Sequence, residues 1–191
     1  MSETAIRNLP ASARRKKAVS EHAQEHAPCF STDVLDMKAL VVYYSRTGTT
    51  RKVAEAISKI LKCDIDEIVD TKNRNGPLGY LISGREAMRK QLTEIKKPKR
   101  NPKLYDVVII GTPVWGFTMS SPVRTYLTQS KGLLKKAAFF CTHGGMPKTT
   151  CRDMEELCGK KAVGSMYIHE SEVGKGEHIS KIRELVREIK K

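Results

Sequence analysis

Ser45-Arg46-Thr47-Gly48-Thr49-Thr50 gathers four hydroxyls, one glycine and one guanidinium into six residues. With a helix starting at its end, such a loop offers a row of backbone N–H groups beside the hydroxyls and the positive end of the helix dipole behind them. That is the chemistry of a phosphate cradle. The same residue types also make a plain N-capping Ser/Thr cluster, and the loop alone leaves both readings open. Neither Gly-x-x-x-x-Gly-Lys-Ser/Thr nor Gly-x-Gly-x-x-Gly occurs anywhere in the chain. Two further segments carry chemistry. Thr112-Pro113-Val114-Trp115-Gly116, followed by Phe117, holds the single Trp; its ring is either a flat surface for a ligand or a packing anchor. Cys141-Thr142-His143-Gly144-Gly145 offers an imidazole that donates a hydrogen bond, or a charge when protonated, to an anionic ligand; its alternative is a loop histidine in water.

The elements that must position these loops follow from periodicity. Ala39 to Tyr44 is a continuous apolar run, as a strand buried on both faces requires. Thr50 to Leu61 predicts a helix with Val53, Ile57, Ile60 and Leu61 on one face. Ile65 to Val69 reads as a short strand, 73–77 as a turn cluster, and Leu78 to Ile95 as a helix with Leu81, Met88, Leu92 and Ile95 near one side. Val107-Val108-Ile109-Ile110 is the strongest strand signal, and Gly and Pro mark 111–116 as a loop. Pro122 suits the first turn of a short helix over 123–129. Strands over 137–142 and 162–168, and helices marked by Cys151, Met154, Leu157 and Cys158 and then by Ile179, Ile182, Val186 and Ile189, complete five βα units. Such alternation implies a parallel sheet with helices on both faces. Ligands then bind beyond the C-terminal strand ends, where all three segments fall.

Tyr44-Ser45-Arg46-Thr47-Gly48-Thr49-Thr50 resembles the Ser/Thr-x-Thr-Gly-x-Thr fingerprint of flavodoxins at its place after strand one. Thr112-Pro113-Val114-Trp115-Gly116 resembles the flavodoxin loop that packs an aromatic ring on the flavin, and 141–145 lies where that family's other flavin loop lies. The resemblance runs from Met37 to the C-terminus. It implies a three-layer α/β/α flavodoxin-like fold with a five-stranded parallel sheet in the order 2-1-3-4-5, and non-covalent FMN. By position it implies Ser45, Thr47, Gly48, Thr49 and Thr50 on the phosphate, with Arg46 adding charge. Thr112, Pro113, Val114, Trp115, Gly116 and Phe117, with Thr142, His143, Gly144 and Gly145, are implied around the ring system. Trp115 is expected to face the isoalloxazine, and the Gly116 peptide to turn its carbonyl to the protonated flavin N5. His143 departs from the acidic and aromatic residues usual in the third loop. That leaves one flavin face to Phe117, Met146 or a second copy of the chain. The resemblance implies electron carriage or, alternatively, NAD(P)H-dependent reduction of quinones and similar acceptors. It assigns no catalytic residue and no metal ligand.

Composition narrows the setting. The net charge is +14, and residues 1–36 hold equal numbers of basic and acidic side chains, so the excess lies on 37–191. That field attracts anionic ligands and acidic partners, an acidic ferredoxin among them. The basic run 96–103 has no interleaved aromatic, and a solvated connector is expected rather than a nucleic-acid site. The five cysteines include no Cys-x-x-Cys, which points away from zinc and iron–sulfur sites and toward reduced thiols in a cytoplasm. Cys141 and Cys151 are expected as buried inert thiols, and Tyr80, Tyr105, Tyr126 and Tyr167 as core or near-core packing. No apolar run approaches the roughly 20 residues of a membrane-spanning helix, and no apolar stretch follows Arg14-Arg15-Lys16-Lys17 to make a secretory signal. Residues 1–36 are read as a disordered or loosely docked extension, with Met37 an alternative start.

Overall fold

Leu40, Val41, Val108, Ile109 and Ile110 are all sealed from solvent, because their two strands run side by side at the centre of a sheet with both faces covered. The computed structural model describes residues 37–147 and 149–191; the expectation for residues 1–36 falls outside the described residues. Strand β1 (Ala39–Tyr43) pairs in parallel with β2 (Asp64–Glu67) on one side and β3 (Val107–Trp115) on the other. Strands β5 (Lys136–His143) and β6 (Ala162–His169) continue the parallel sheet, giving the order β2-β1-β3-β5-β6. The order of the five parallel strands is the expected one. Strand β4 (Thr118–Met119) is an addition that turns back antiparallel on the end of β3.

Among the described residues four α-helices lie between strands, α1 (Thr49–Leu61), α2 (Gly76–Met88), α3 (Ser121–Ser130) and α4 (Thr150–Cys158), and two follow the last strand, α5 (Glu170–Lys175) and α6 (His178–Ile189). The odd positions of β1 and β3 join α1 and α6 in one core around Val41, Ile109, Phe140, Ile57 and Ile182. The even positions build the opposite core with α3 and α4, around Leu40, Val108, Tyr126, Phe139 and Met154. The strand period of two divides the residues between two faces, and the helical period supplies each cover.

Several details differ from expectation, and β2 and α2 each begin before their expected first residue, at Asp64 and Gly76. Helix α2 stops at Met88 rather than Ile95, because residues 94–96 leave it to lie along 69–71: Ile95 bridges Asp70, Glu94 accepts from the Thr71 N–H at 3.1 Å, and Lys96 donates to Val69 at 2.8 Å. Leu81, Met88 and Leu92 are correspondingly 69, 63 and 53 % exposed, while Ser83 and Ala87 face inward. Segment 111–116 is strand through Trp115, held by the hairpin to β4. Ile60 lies at the edge of the buried face of α1, more than a third exposed. The C-terminal helix is preceded by α5, whose start His169 caps: its Nδ1 accepts from the Ser171 N–H at 3.2 Å, and the Glu172 carboxylate accepts from the His169 N–H at 3.4 Å.

Candidate functional site

Beyond the C-terminal ends of β1, β3 and β5 lies a cleft of about 1280 Å³. It runs from Arg46, Thr47 and Thr49 on the first loop, past Pro113 to Phe117, to Thr142, His143, Gly144, Gly145 and Met146. Its outer wall is one side of α2, with Tyr80, Leu81, Arg85, Met88 and Arg89. The three loops singled out in the sequence therefore meet in one place.

At the first loop the chain leaves β1 and reverses into α1 through Gly48, whose φ of +94° is costly for any residue with a Cβ. The Gly48 N–H donates to Ser45 Oγ at 3.1 Å, which closes the turn. No side chain caps α1, so the free N–H groups of its first turn face outward with the positive end of the helix dipole, beside the Thr47 and Thr49 hydroxyls. This arrangement fits a phosphate group. Thr50 lies below the loop surface: its hydroxyl is 2.7 Å from that of Thr142, and both side chains are buried. That bond ties the first loop to the third. Arg46 places its guanidinium 4.9 Å from the centre of the Tyr80 ring, so the first loop is also tied to α2.

The second segment is a hairpin in which Gly116 and Phe117 both have positive φ, +53° and +69°. Such a two-residue turn matches the twist of the flanking strands. A Cβ at position 116 would come within 2.7 Å of the Gly84 carbonyl oxygen and 2.4 Å of Met88 Cγ, so only glycine fits against α2. Phe117 is different: a bulky residue in the left-handed region costs about 1–2 kcal/mol, yet here it holds a half-exposed ring at the cleft mouth. Trp115 reaches the cleft wall but is only 6 % exposed. Its ring meets Tyr44 edge-on at 5.4 Å, and the Arg74 guanidinium lies 5.3 Å from its centre. The rings standing exposed at the cleft are thus Phe117 and Tyr80. Tyr80 is 62 % exposed, not packed in the core as expected, and nothing in its local sequence separates a cleft-facing tyrosine from a core one. The Thr112 side chain lies outside the cleft: its hydroxyl accepts from the Ser120 N–H at 3.0 Å and is fully buried.

At the third loop His143 stands with its Nδ1 buried and without a hydrogen-bond partner among the described residues. The His169 ring meets it edge-on at 5.4 Å. Burial is the main reason its pKa falls below the usual histidine value; the Gly145 backbone opposes it most, His169 and Lys181 push the same way as burial, and Glu172 pushes against it. The imidazole is therefore held toward its neutral form. Cys141 and Cys151 are both buried, and the hydrogen bond with Cys151, followed by burial, pushes the Cys141 thiol up. Tyr44, beneath the first loop, is pushed up to about 12 by burial and then by Asp70. No cluster of three metal-ligating side chains occurs among the described residues, and no described helix is long and apolar enough to cross a membrane.

Sheet order, cleft and uncapped α1 define a doubly wound α/β protein whose cleft at the topological switch point suits a phosphate-bearing ligand. The sequence profile of the family described as Flavodoxin matches residues 38–173, and the chain belongs to that family. Among solved structures it is similar to a flavoprotein from Lactobacillus acidophilus NCFM determined in complex with FMN. The two are 27 % identical with a TM-score of 0.62, over 73 % of this chain and 97 % of that one. A protein from Bacteroides uniformis ATCC 8492 shares the fold at 19 % identity and a TM-score of 0.62, over 73 % and 96 % of the two chains.

Proposed function

We propose that the chain is a redox flavoprotein that holds FMN non-covalently in this cleft. The observation that carries the reading is the uncapped start of α1, opening on a cleft that reaches both later loops. The first-turn N–H groups and the Thr47 and Thr49 hydroxyls take the phosphate. The N–H groups are fixed before binding by the Ser45–Gly48 turn, so little ordering cost falls on the complex. Ser45, Gly48 and Thr50 shape the loop, and Arg46 adds positive charge on the α2 side. Pro113, Val114, Trp115, Gly116 and Phe117 line the ring site opposite Thr142, His143, Gly144 and Gly145. Trp115 backs it as a rigid wall, and His143 is placed to donate a hydrogen bond to the flavin edge. FMN supplies the chemistry of accepting and releasing one or two electrons.

Electron carriage between proteins is the first reading, with an acidic partner such as a ferredoxin matched to the +14 charge. NAD(P)H-dependent reduction of a small acceptor is the second. It is favoured by the cleft volume, which exceeds the roughly 300–1,000 Å³ of ordinary ligand pockets and leaves room beside one flavin. The test of the cofactor is titration of apo-protein with FMN and with riboflavin, followed by flavin absorbance. FMN is expected to bind at least ~100-fold more tightly, since only it reaches the charge-assisted contacts at α1. Equal affinities would overturn the assignment of the first loop.

A further inference from the structure

Arg85 and Arg89 are one helical turn apart at the end of α2, and both line the cleft. Arg51, Arg74, Arg100 and Arg152 each hold a carboxylate. Arg85 and Arg89 pair with none among the described residues, and both are exposed. With Arg46 they set three guanidiniums against one carboxylate, Glu170, among the described residues that line the cleft. They sit on the α2 wall, whereas the uncapped α1 start opens at the first loop. Around them the wall is apolar and exposed: Leu81 and Met88 on α2, and the Phe117 ring held in a left-handed backbone conformation at the mouth. Two guanidiniums without a carboxylate among the described residues, beside an exposed apolar wall, are an arrangement that an anion with an apolar body would complete.

We propose that the outer half of the cleft is a second subsite, for a flat aromatic anion. Its ring lies against Phe117, Met88 and Leu81, and its carboxylate, sulfonate or phosphate is held by Arg85 and Arg89. This rests on the FMN reading, and it names the class of small acceptor or donor that the flavin would meet. Paired guanidiniums suit such a group because each presents a planar fork of donors to two of its oxygens. A concave, aromatic-lined recess favours a small molecule over a protein, whose surface would reach only the rim.

The test uses full-length, FMN-loaded protein and a redox-inert pair of equal shape, naphthalene-2-sulfonate and neutral naphthalene-2-sulfonamide, titrated by calorimetry. The sulfonate is expected to bind at least ~10-fold more tightly. The R85Q/R89Q double variant is expected to remove that preference while leaving FMN affinity and Tm unchanged. An absent preference in the native protein overturns the proposal, as does one that survives in the double variant. Displacement of FMN by the sulfonate also overturns it, by placing the anion in the phosphate loop. Arginine-dependent binding of an acidic ferredoxin without any sulfonate preference overturns it too, and assigns the pair to protein docking. A protein that fails to take up FMN sinks the cofactor reading and this proposal together; an FMN-loaded protein without the preference sinks this one alone.

Discussion

Phe117 and His143 show how single residues at the cleft carry conditions the rest of the chain must sustain. At a φ of +69° the usual ranking of alanine above glycine should reverse. Phe117→Gly is expected to be more stable than Phe117→Ala by about 1 kcal/mol in urea denaturation, because both lose the ring but only alanine keeps the backbone strain. The ordinary order, alanine the more stable, would show that the hairpin relaxes. His143 is held below its unfolded pKa chiefly by burial, with His169 and Lys181 adding to the effect against the Gly145 backbone and Glu172. The unfolded chain therefore binds the proton more readily, and stability must fall as pH drops below about 6.5. The loss is complete once the folded imidazole is also protonated. His143→Gln should flatten this part of a Tm-against-pH curve while leaving the region above pH 7 nearly unchanged; an unaltered slope would remove His143 as its source. The sequence places both residues in a cleft-forming segment, but it contains no signal for the hairpin conformation of Phe117 or for the His169 ring beside His143.

At the scale of elements, α2 is the informative case. Its inner face offers little apolar surface, with Ser83 and Ala87 buried, and it is held instead by charge. Arg74, with 4 % of its side chain exposed, binds Asp70 and reaches Glu86 at 2.8 Å, while Lys72 reaches the other Glu86 oxygen at 2.9 Å. Burial pushes the Glu86 pKa up, but these two cations outweigh it and hold the carboxyl below its usual value. Arg74→Ala leaves the buried Asp70 carboxylate without its cation and Glu86 with Lys72 alone, and is expected to cost about 3–5 kcal/mol by urea denaturation. A loss under about 1 kcal/mol would show that α2 is anchored otherwise. The strands and α1, α3 and α6 are legible in the sequence because burial on two faces or one imposes runs and periods. The limit of α2 is not, because Leu81, Met88, Leu92 and Ile95 imitate a core-facing stripe although three of the four are largely exposed. What ends the helix is the long-range pairing of 94–96 with 69–71, which no local window contains.

For the whole molecule, strand order and the convergence of three loops follow from alternating βα units, and they were readable because topology, not side-chain detail, places a cleft at the switch point. How far each ring stands out into that cleft was not readable, since packing against Tyr44 and Arg74 leaves Trp115 only 6 % exposed in the wall while Tyr80 is 62 % exposed. The +14 charge acts at this scale. If the redox partner is an acidic protein, its rate of electron exchange with this chain should fall steeply between ~0.05 and ~0.5 M salt in stopped-flow measurements, and a flat profile would exclude steering by charge. The bond between the Thr50 and Thr142 hydroxyls has a consequence for biosynthesis. It spans 92 positions of sequence, so the loop that opens the described chain's first βα unit draws one of its braces from the fourth parallel strand. A nascent chain emerging from the ribosome would carry the phosphate-loop residues long before it carried their brace. Cofactor uptake should therefore await the synthesis and pairing of that strand, as a step separate from the folding of the first βα unit.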